Sequence, residues 1–264
     1  MRRLGSAFFL SGLLVLGGAT QAFAYPLLPF DTKDGVYNTT LQETVATSKT
    51  FTLYAYLTNP TSSQLTDTYY IAAALTPAMY PPGGGVGSFT VGNSATNFTF
   101  VDNYSTGHTT TTNSTSVNAA AEMVFGDPPL ERYGAEIDPG DLASHGIYNT
   151  YFKEFSVKYS SAPKATPYDV QTDSNNGPMP SPSGTMYYQA FTINTASLSA
   201  AHEVHFDMYS EATTAGGVRI NRLSPFSHTA RSATVPEPGS MVLLGTGMAT
   251  LVARYRRRRS ASPD

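Results

Sequence analysis

The sequence predicts an all-β protein, an antiparallel β-sandwich of jelly-roll type, on three observations. Short runs rich in Val, Ile, Thr, Tyr and Phe alternate apolar with polar residues. Clusters of Gly, Pro, Asn and Ser punctuate these runs at short intervals. Nowhere between Tyr25 and Val235 does a 3.6-residue apolar pattern persist for the roughly ten residues that an amphipathic helix needs.

The clearest run is KTFTLYAYLTNP. It puts Phe51, Leu53, Ala55 and Leu57 on one side and Thr50, Thr52, Tyr54 and Tyr56 on the other, the two-residue period of a half-buried strand. Eight similar runs follow in order: TYYIAAAL, GSFTVGN, NFTFVDN, AAAEMVF, YFKEFSVKYS, TMYYQAFTI, HEVHFDMYS and GVRINRL. Three stretches read as loops. MYPPGGGVGS is rich in Pro and Gly; residues 105–118, STGHTTTTNSTSVN, have nothing large to bury; residues 173–184, DSNNGPMPSPSG, have the Pro, Gly and Asn density of an exposed connection. Strands recur on both sides of 173–184, so residues 25–233 are expected to form one β-sandwich body. No fixed-period repeat supports a solenoid or propeller.

The two ends have a different character. Residues 1–24 begin with Arg2 and Arg3, continue through an apolar stretch and finish with Ala22-Phe23-Ala24, the small-x-small pattern of a signal-peptidase site. Cleavage after Ala24 makes Tyr25 the mature N-terminus. The residues behind the arginine pair do not match a twin-arginine signal, so the general secretion route is expected. Residues 239–253 are a charge-free stretch about 22 Å long as a helix, short for a hydrocarbon core of about 30 Å. Behind it stand Arg254, Arg256, Arg257, Arg258 and Arg259, whose charge holds that end in the cytoplasm and whose long side chains reach headgroup level.

With both ends set aside, residues 25–235 carry nine basic and seventeen acidic side chains, a net charge of −8 against −3 for the whole chain. A nucleic-acid partner is excluded by the lack of a basic face. There is no cysteine, so neither disulfides nor thiolate metal sites contribute.

Residues 234–264 resemble the PEP-CTERM sorting signal in three successive parts: Pro236-Glu237-Pro238, the transmembrane stretch 239–253 and the arginine cluster 254–259. The resemblance implies an exported protein of a Gram-negative bacterium, held briefly in the inner membrane. It also implies processing by the membrane enzyme exosortase and association with extracellular polysaccharide. The prolines deny the motif a helix or a ladder and leave it extended just outside the bilayer. The five residues after the arginines are a departure that leaves the pattern intact. YPLLPFDTKDGVYNTT, HGIYNTYFKEFSV and RLSPFSHTARS also resemble the N-type choice-of-anchor proteins, which implies surface display without established catalysis.

Weaker constellations point to chemistry without completing it. His202 and His205 in HEVH would bind a metal from one helix face; on a strand they point apart, with His205 in phase with Asp207, so no zinc site is expected. Asp31 with Asp34, Asp138 with Asp141, and Asp173 with Asn175 lie in turns where calcium could bind, but ordinary Asp-turns are the favoured explanation. Ser161 and Lys164 fit S-x-x-K, but Pro163 spoils the helical turn that motif requires. The sequons at Asn38, Asn97, Asn103 and Asn113 matter only in a glycosylating host.

The expectation is a non-enzymatic surface or matrix protein with no catalytic residues and no cofactor. The alternative is a carbohydrate- or calcium-binding module. A glycoside hydrolase would require two carboxyl groups converging across a groove.

Overall fold

A computed structural model describes residues 28–77, 85–103, 108–126, 150–172, 177–214, 217–224, 228–233 and 248. Its strands are β1 (Phe30–Thr32), β2 (Val36–Asn38), β3 (Glu43–Val45), β4 (Thr50–Thr58), β5 (Tyr69–Thr76), β6 (Ser88–Gly92), β7 (Phe98–Asn103), β8 (His108–Thr112) and β9 (Ser114–Asn118). After the helical turn α1 (Ala119–Glu122) come β10 (Val124–Gly126), β11 (Thr150–Val157), β12 (Lys164–Thr166), β13 (Met179–Pro180), β14 (Met186–Asn194), β15 (Glu203–Thr214), β16 (Gly217–Leu223) and β17 (Thr229–Arg231).

The strands form two facing sheets, a β-sandwich. In the first, β1-β4-β14 continue through β12 and β13 at one end of β14 and through β6 and β9 at its other end. The second runs β2-β3-β17-β15-β5-β11-β7-β8, with β10 also on β11 and β16 also on β15. Every pairing is antiparallel except β17 on β3.

The alternation read from the sequence sets the core. Phe51, Leu53, Ala55 and Leu57 of β4 face inward, as do Phe191 and Ile193 of β14 and Phe89 and Val91 of β6. Tyr69, Ile71, Ala73 and Leu75 of β5 oppose them from the second sheet, with Phe155 of β11 and Val204, Phe206 and Met208 of β15. Ring pairs bridge the sheets: Phe51–Phe206 at 6.4 Å, Phe98–Phe191 at 5.8 Å and Phe155–Phe191 at 5.2 Å between centroids. With no disulfide available, this continuous apolar layer is what holds the two sheets together, at about 25 cal/mol for each Å² of apolar surface removed from water.

Two expectations are corrected. AAAEMVF is not one strand: Ala119–Glu122 make a helical turn and only Val124 and Phe125 continue as β. Asn118 caps the turn, its side chain accepting from Ala120 N–H while Glu122 accepts from Asn118 N–H, and alanine has the highest helix propensity. Residues 108–112 and 114–118, read as part of a loop, are β8 and β9. Threonine is a good strand former without being large or apolar, so an apolar-alternation reading passes over it. Residues 105–107 of that stretch lie outside the described residues.

Candidate functional site

The residues singled out for processing lie outside the described residues: Ala22, Ala24 and Tyr25 at the front, Pro236, Glu237 and Pro238 in the motif, and Arg254, Arg256, Arg257, Arg258 and Arg259 behind it. Among the described residues no helix is long and apolar enough to cross a membrane. What the structure does show is how the body ends. β17 lies between β3 and β15, and the main chain beyond it is tied down: Arg231 C=O accepts from Ala46 N–H at 2.9 Å, and Ser232 N–H donates to Val204 C=O at 2.9 Å. The Ser232 hydroxyl accepts from Val204 N–H at 2.8 Å.

A buried charge network fastens this strand. Register places Arg231 of β17 opposite His205 of β15 and Val45 of β3, on the face of the second sheet turned away from the core. The Arg231 guanidinium grips Glu43 with two bonds, Nε to Oε2 at 2.6 Å and Nη2 to Oε1 at 2.8 Å. Its Nη1 reaches Glu203 Oε2 and Thr76 Oγ1, both at 3.3 Å. Two parallel charge-assisted bonds make this the strongest kind of ion pair. His205, fully buried, bonds Asp207 Oδ2 through Nε2 at 3.0 Å, while its Nδ1 makes a longer ion-pair contact with Glu43 Oε1 at 3.3 Å.

Burial alone would discharge these groups, and the partners reverse that. Burial would raise the Glu43 carboxyl, but bonds and charge from His205 and Arg231 hold it down at about 2. Burial would lower His205, but Asp207 and Glu43 push it up to about 9. The imidazolium and guanidinium thus share a site with carboxylates, a structural clamp joining β3, β15 and β17.

The outer face of the first sheet holds a second polar cluster. Tyr54 and Tyr56 of β4 and Tyr188 of β14 share this face with Tyr168, which meets Tyr56 edge-on at 5.7 Å. The Tyr168 hydroxyl donates to buried Asp31 Oδ2 at 2.6 Å and lies 2.6 Å from Tyr56 Oη; since its proton goes to Asp31, Tyr56 is the donor of that second bond. Asp31 Oδ1 accepts from Thr32 N–H at 2.7 Å. Past the tyrosines the same face carries two rows without charge: Thr52, Thr192, Gly92 and Ser114, then Thr50, Asn194, Thr90 and Ser116, across β4, β14, β6 and β9.

The third feature is a cleft where the sheets part. β8 belongs to the second sheet and β9 to the first, and Asn113 alone joins them. Pairing of Phe100 with Thr110 and Phe98 with Thr112 turns both threonines inward, and the pairing of β9 with β6 turns Thr115 and Val117 inward. Threonines therefore occupy positions where a sandwich ordinarily places apolar side chains. A cavity of about 250 Å³ remains, lined by Thr110, Thr112, Thr115, Ser116, Phe100, Val117, Lys153 and Glu122. Lys153 is 6% exposed and its ammonium sits 5.8 Å from the Phe100 ring centroid.

The weaker candidates resolve as follows. His202 precedes β15, and His205 shares its face with Asp207, as strand alternation requires. Lys164 lies on β12 with Nζ 5.0 Å from the Tyr187 ring centroid, not on a helix with Ser161. Among the described residues no group of three or more His, Asp or Glu is placed to hold a metal ion. Asp31 is engaged by Tyr168 and Thr32, while Asp138, Asp141, Asp173 and Asn175 lie outside the described residues. Glu154 and Asp207 both pair in register with Ala72, but both are buried and held, by Tyr209 and His205 respectively. Sequence reading missed Glu43, Arg231, Lys153 and the inward threonines. Of these only the TTTT run had a visible signal, a polar run of good strand formers with no apolar face.

Comparison with known proteins places the tail. The family model of the PEP-CTERM protein-sorting motif matches residues 234–258, which span the Pro-Glu-Pro, the apolar stretch and most of the arginine cluster. The motif marks an exported protein, transiently anchored at the membrane and handled by exosortase. No curated protein matches the chain. A solved structure similar to it is the collagen-binding subdomain of the Enterococcus faecalis surface protein ACE, at 9% identity, covering 79% of this chain and 97% of that one, with a TM-score of 0.23. A likeness that slight bears on neither fold nor function. Nothing in these comparisons speaks for the choice-of-anchor resemblance.

Proposed function

We propose that this is a non-enzymatic component of the cell surface or extracellular matrix of a Gram-negative bacterium, released from its inner-membrane tail by exosortase and associated there with extracellular polysaccharide. The observation that carries the reading is the position of the sorting motif, which begins at residue 234 directly behind the clamped strand β17. The folded body is thereby delivered as one unit with the recognition sequence at its exit. The uncharged Thr, Ser and Asn rows on the first sheet favour contact with a neutral, hydroxyl-rich polymer over a polyanion, which the acidic excess of the body repels. The non-enzymatic part of the reading is supported by Asp31, Glu43, Glu154 and Asp207, which are buried and tied to partners.

The test is cell fractionation of the native host with the wild-type chain and with Pro236→Ala, Glu237→Ala and Pro238→Ala combined. Wild-type protein is expected in the surface or matrix fraction and the triple variant in the inner membrane. Equal distribution of the two would refute sorting through this motif. Cosedimentation of the wild-type protein with host polysaccharide tests the matrix association separately.

A further inference from the structure

We infer that the cleft between β8 and β9 is a binding site for one neutral pyranose unit, inserted as a chain end or side branch of a polysaccharide. This names the contact site of the matrix reading above and rests on it.

The argument starts from a broken rule. A sandwich is stabilised by apolar side chains on the inner faces of its strands, and polar residues there lower stability unless they serve something else. Here the inner-face positions 110, 112 and 115 are all threonine, so the sheets meet over a polar gap where packed core would otherwise be. Places where local rules fail in an otherwise consistent sequence tend to be functional. On β9 itself Val117 follows the rule, as does Phe98 on the neighbouring β7.

The lining selects the ligand class. The Thr110 hydroxyl can donate and accept, the Thr112 and Thr115 hydroxyls, whose protons go to the Ser114 and Ser116 carbonyls, offer acceptor oxygens, Lys153 donates and Glu122 accepts, so the ligand must offer several hydroxyls in both roles. The two charged side chains cancel in sign, which suits a neutral ligand. Phe100 and Val117 add apolar surface to set against the C–H edge of a sugar ring. The volume of about 250 Å³ lies below the range of about 300–1,000 Å³ typical of drug-sized ligands and admits a single ring, not a polymer backbone. Thr110, Ser116 and Glu122 are exposed, so the cleft opens at the side of the sandwich, where a branch can enter while its parent chain stays outside.

The site is tested on the full chain in a detergent without sugar headgroups. Saturation-transfer NMR titrations use the methyl glycosides of glucose, galactose, mannose and N-acetylglucosamine, with methyl glucuronide and free alanine as charged and zwitterionic probes. At least one neutral glycoside is expected to bind with a dissociation constant of about 1 mM, weakened about tenfold or more by the double variant Thr110→Val with Thr112→Val. Valine keeps the branched shape that suits a strand, but the Thr112 hydroxyl also donates to Ser114 C=O and accepts from Ser114 N–H, so Thr110→Val alone, whose melting temperature should hold, is run beside the double variant and should weaken binding in the same direction. Lys153→Met provides a second variant with the same expected loss. The site is overturned if no neutral glycoside saturates, if the variants bind as wild type does, or if only the uronide or alanine binds. Cosedimentation with host polysaccharide, run alongside, separates the two proposals. Polymer binding that persists without glycoside binding overturns the cleft and leaves the matrix reading. Glycoside binding without cosedimentation overturns the matrix reading and leaves the cleft.

Discussion

Raising the pH from about 6 to about 9 should loosen the clamp on β17, and the size of the effect follows from His205. In the folded chain this imidazole holds its proton to about pH 9, against an ordinary value of 6.5. The folded state binds the proton more tightly than the unfolded chain does. Its contribution to stability is therefore complete below about pH 6.5 and disappears as the pH rises through about 9. At 1.36 kcal/mol per pH unit, the interval is worth roughly 3 kcal/mol. Glu43 runs the other way: held at about 2, its contribution is complete above about 4.5 and is lost as the pH falls toward 2. The two describe one shared interaction and are not summed. Among the described residues, Glu43 and Asp207 face His205, and Arg231 and Glu203 join the same network. For a body of this size the loss corresponds to a fall of roughly 6–12 °C in melting temperature. Urea and thermal unfolding followed by circular dichroism at about pH 6, 7.5 and 9 would measure it, with His205→Gln as the comparison. A wild-type profile flat across this range, or an equal slope in His205→Gln, would refute the reasoning.

Three further perturbations probe the same architecture. Arg231→Met leaves buried Glu43 without its two-bonded partner and should cost about 3–5 kcal/mol in denaturant unfolding, while Arg231→Met with Glu43→Met should cost less than either change alone. Tyr168→Phe removes the hydroxyl that donates to buried Asp31 and should lower stability by about 1–3 kcal/mol by the same measurement. Gly87→Ala places a Cβ 2.0 Å from the Ser197 carbonyl oxygen at φ +88, so the backbone must move and roughly 2 kcal/mol or more is lost; Gly85→Ala, at φ +105 with nothing within 4 Å, should lose clearly less in a side-by-side melt.

Much of the sandwich was legible because long strands state their own faces. The alternation of β4 named the four side chains that enter the core, and the phase of HEVHFDMYS placed His205 beside Asp207 and away from Phe206. The three-residue strands β1, β2, β3, β12 and β17 were not legible, since so short a run shows no period and forms only because a neighbour offers a ladder. For the same reason the clamp was hidden: Glu43 and Arg231 sit on two such strands, far apart in sequence, and only their parallel pairing brings them to His205. β8 and β9 were missed for a different reason. Their inward threonines violate the apolar pattern used to find strands, and that violation is what makes the cleft. The sorting signal was legible because its three parts are contiguous and depend on bilayer physics, not on the fold.

The most direct measurement is the intact mass of the protein taken from the surface or matrix fraction of its native host. Export and sorting require a chain that starts at Tyr25 and has lost the arginine cluster 254–259. Surface material still running through Asp264 would contradict them.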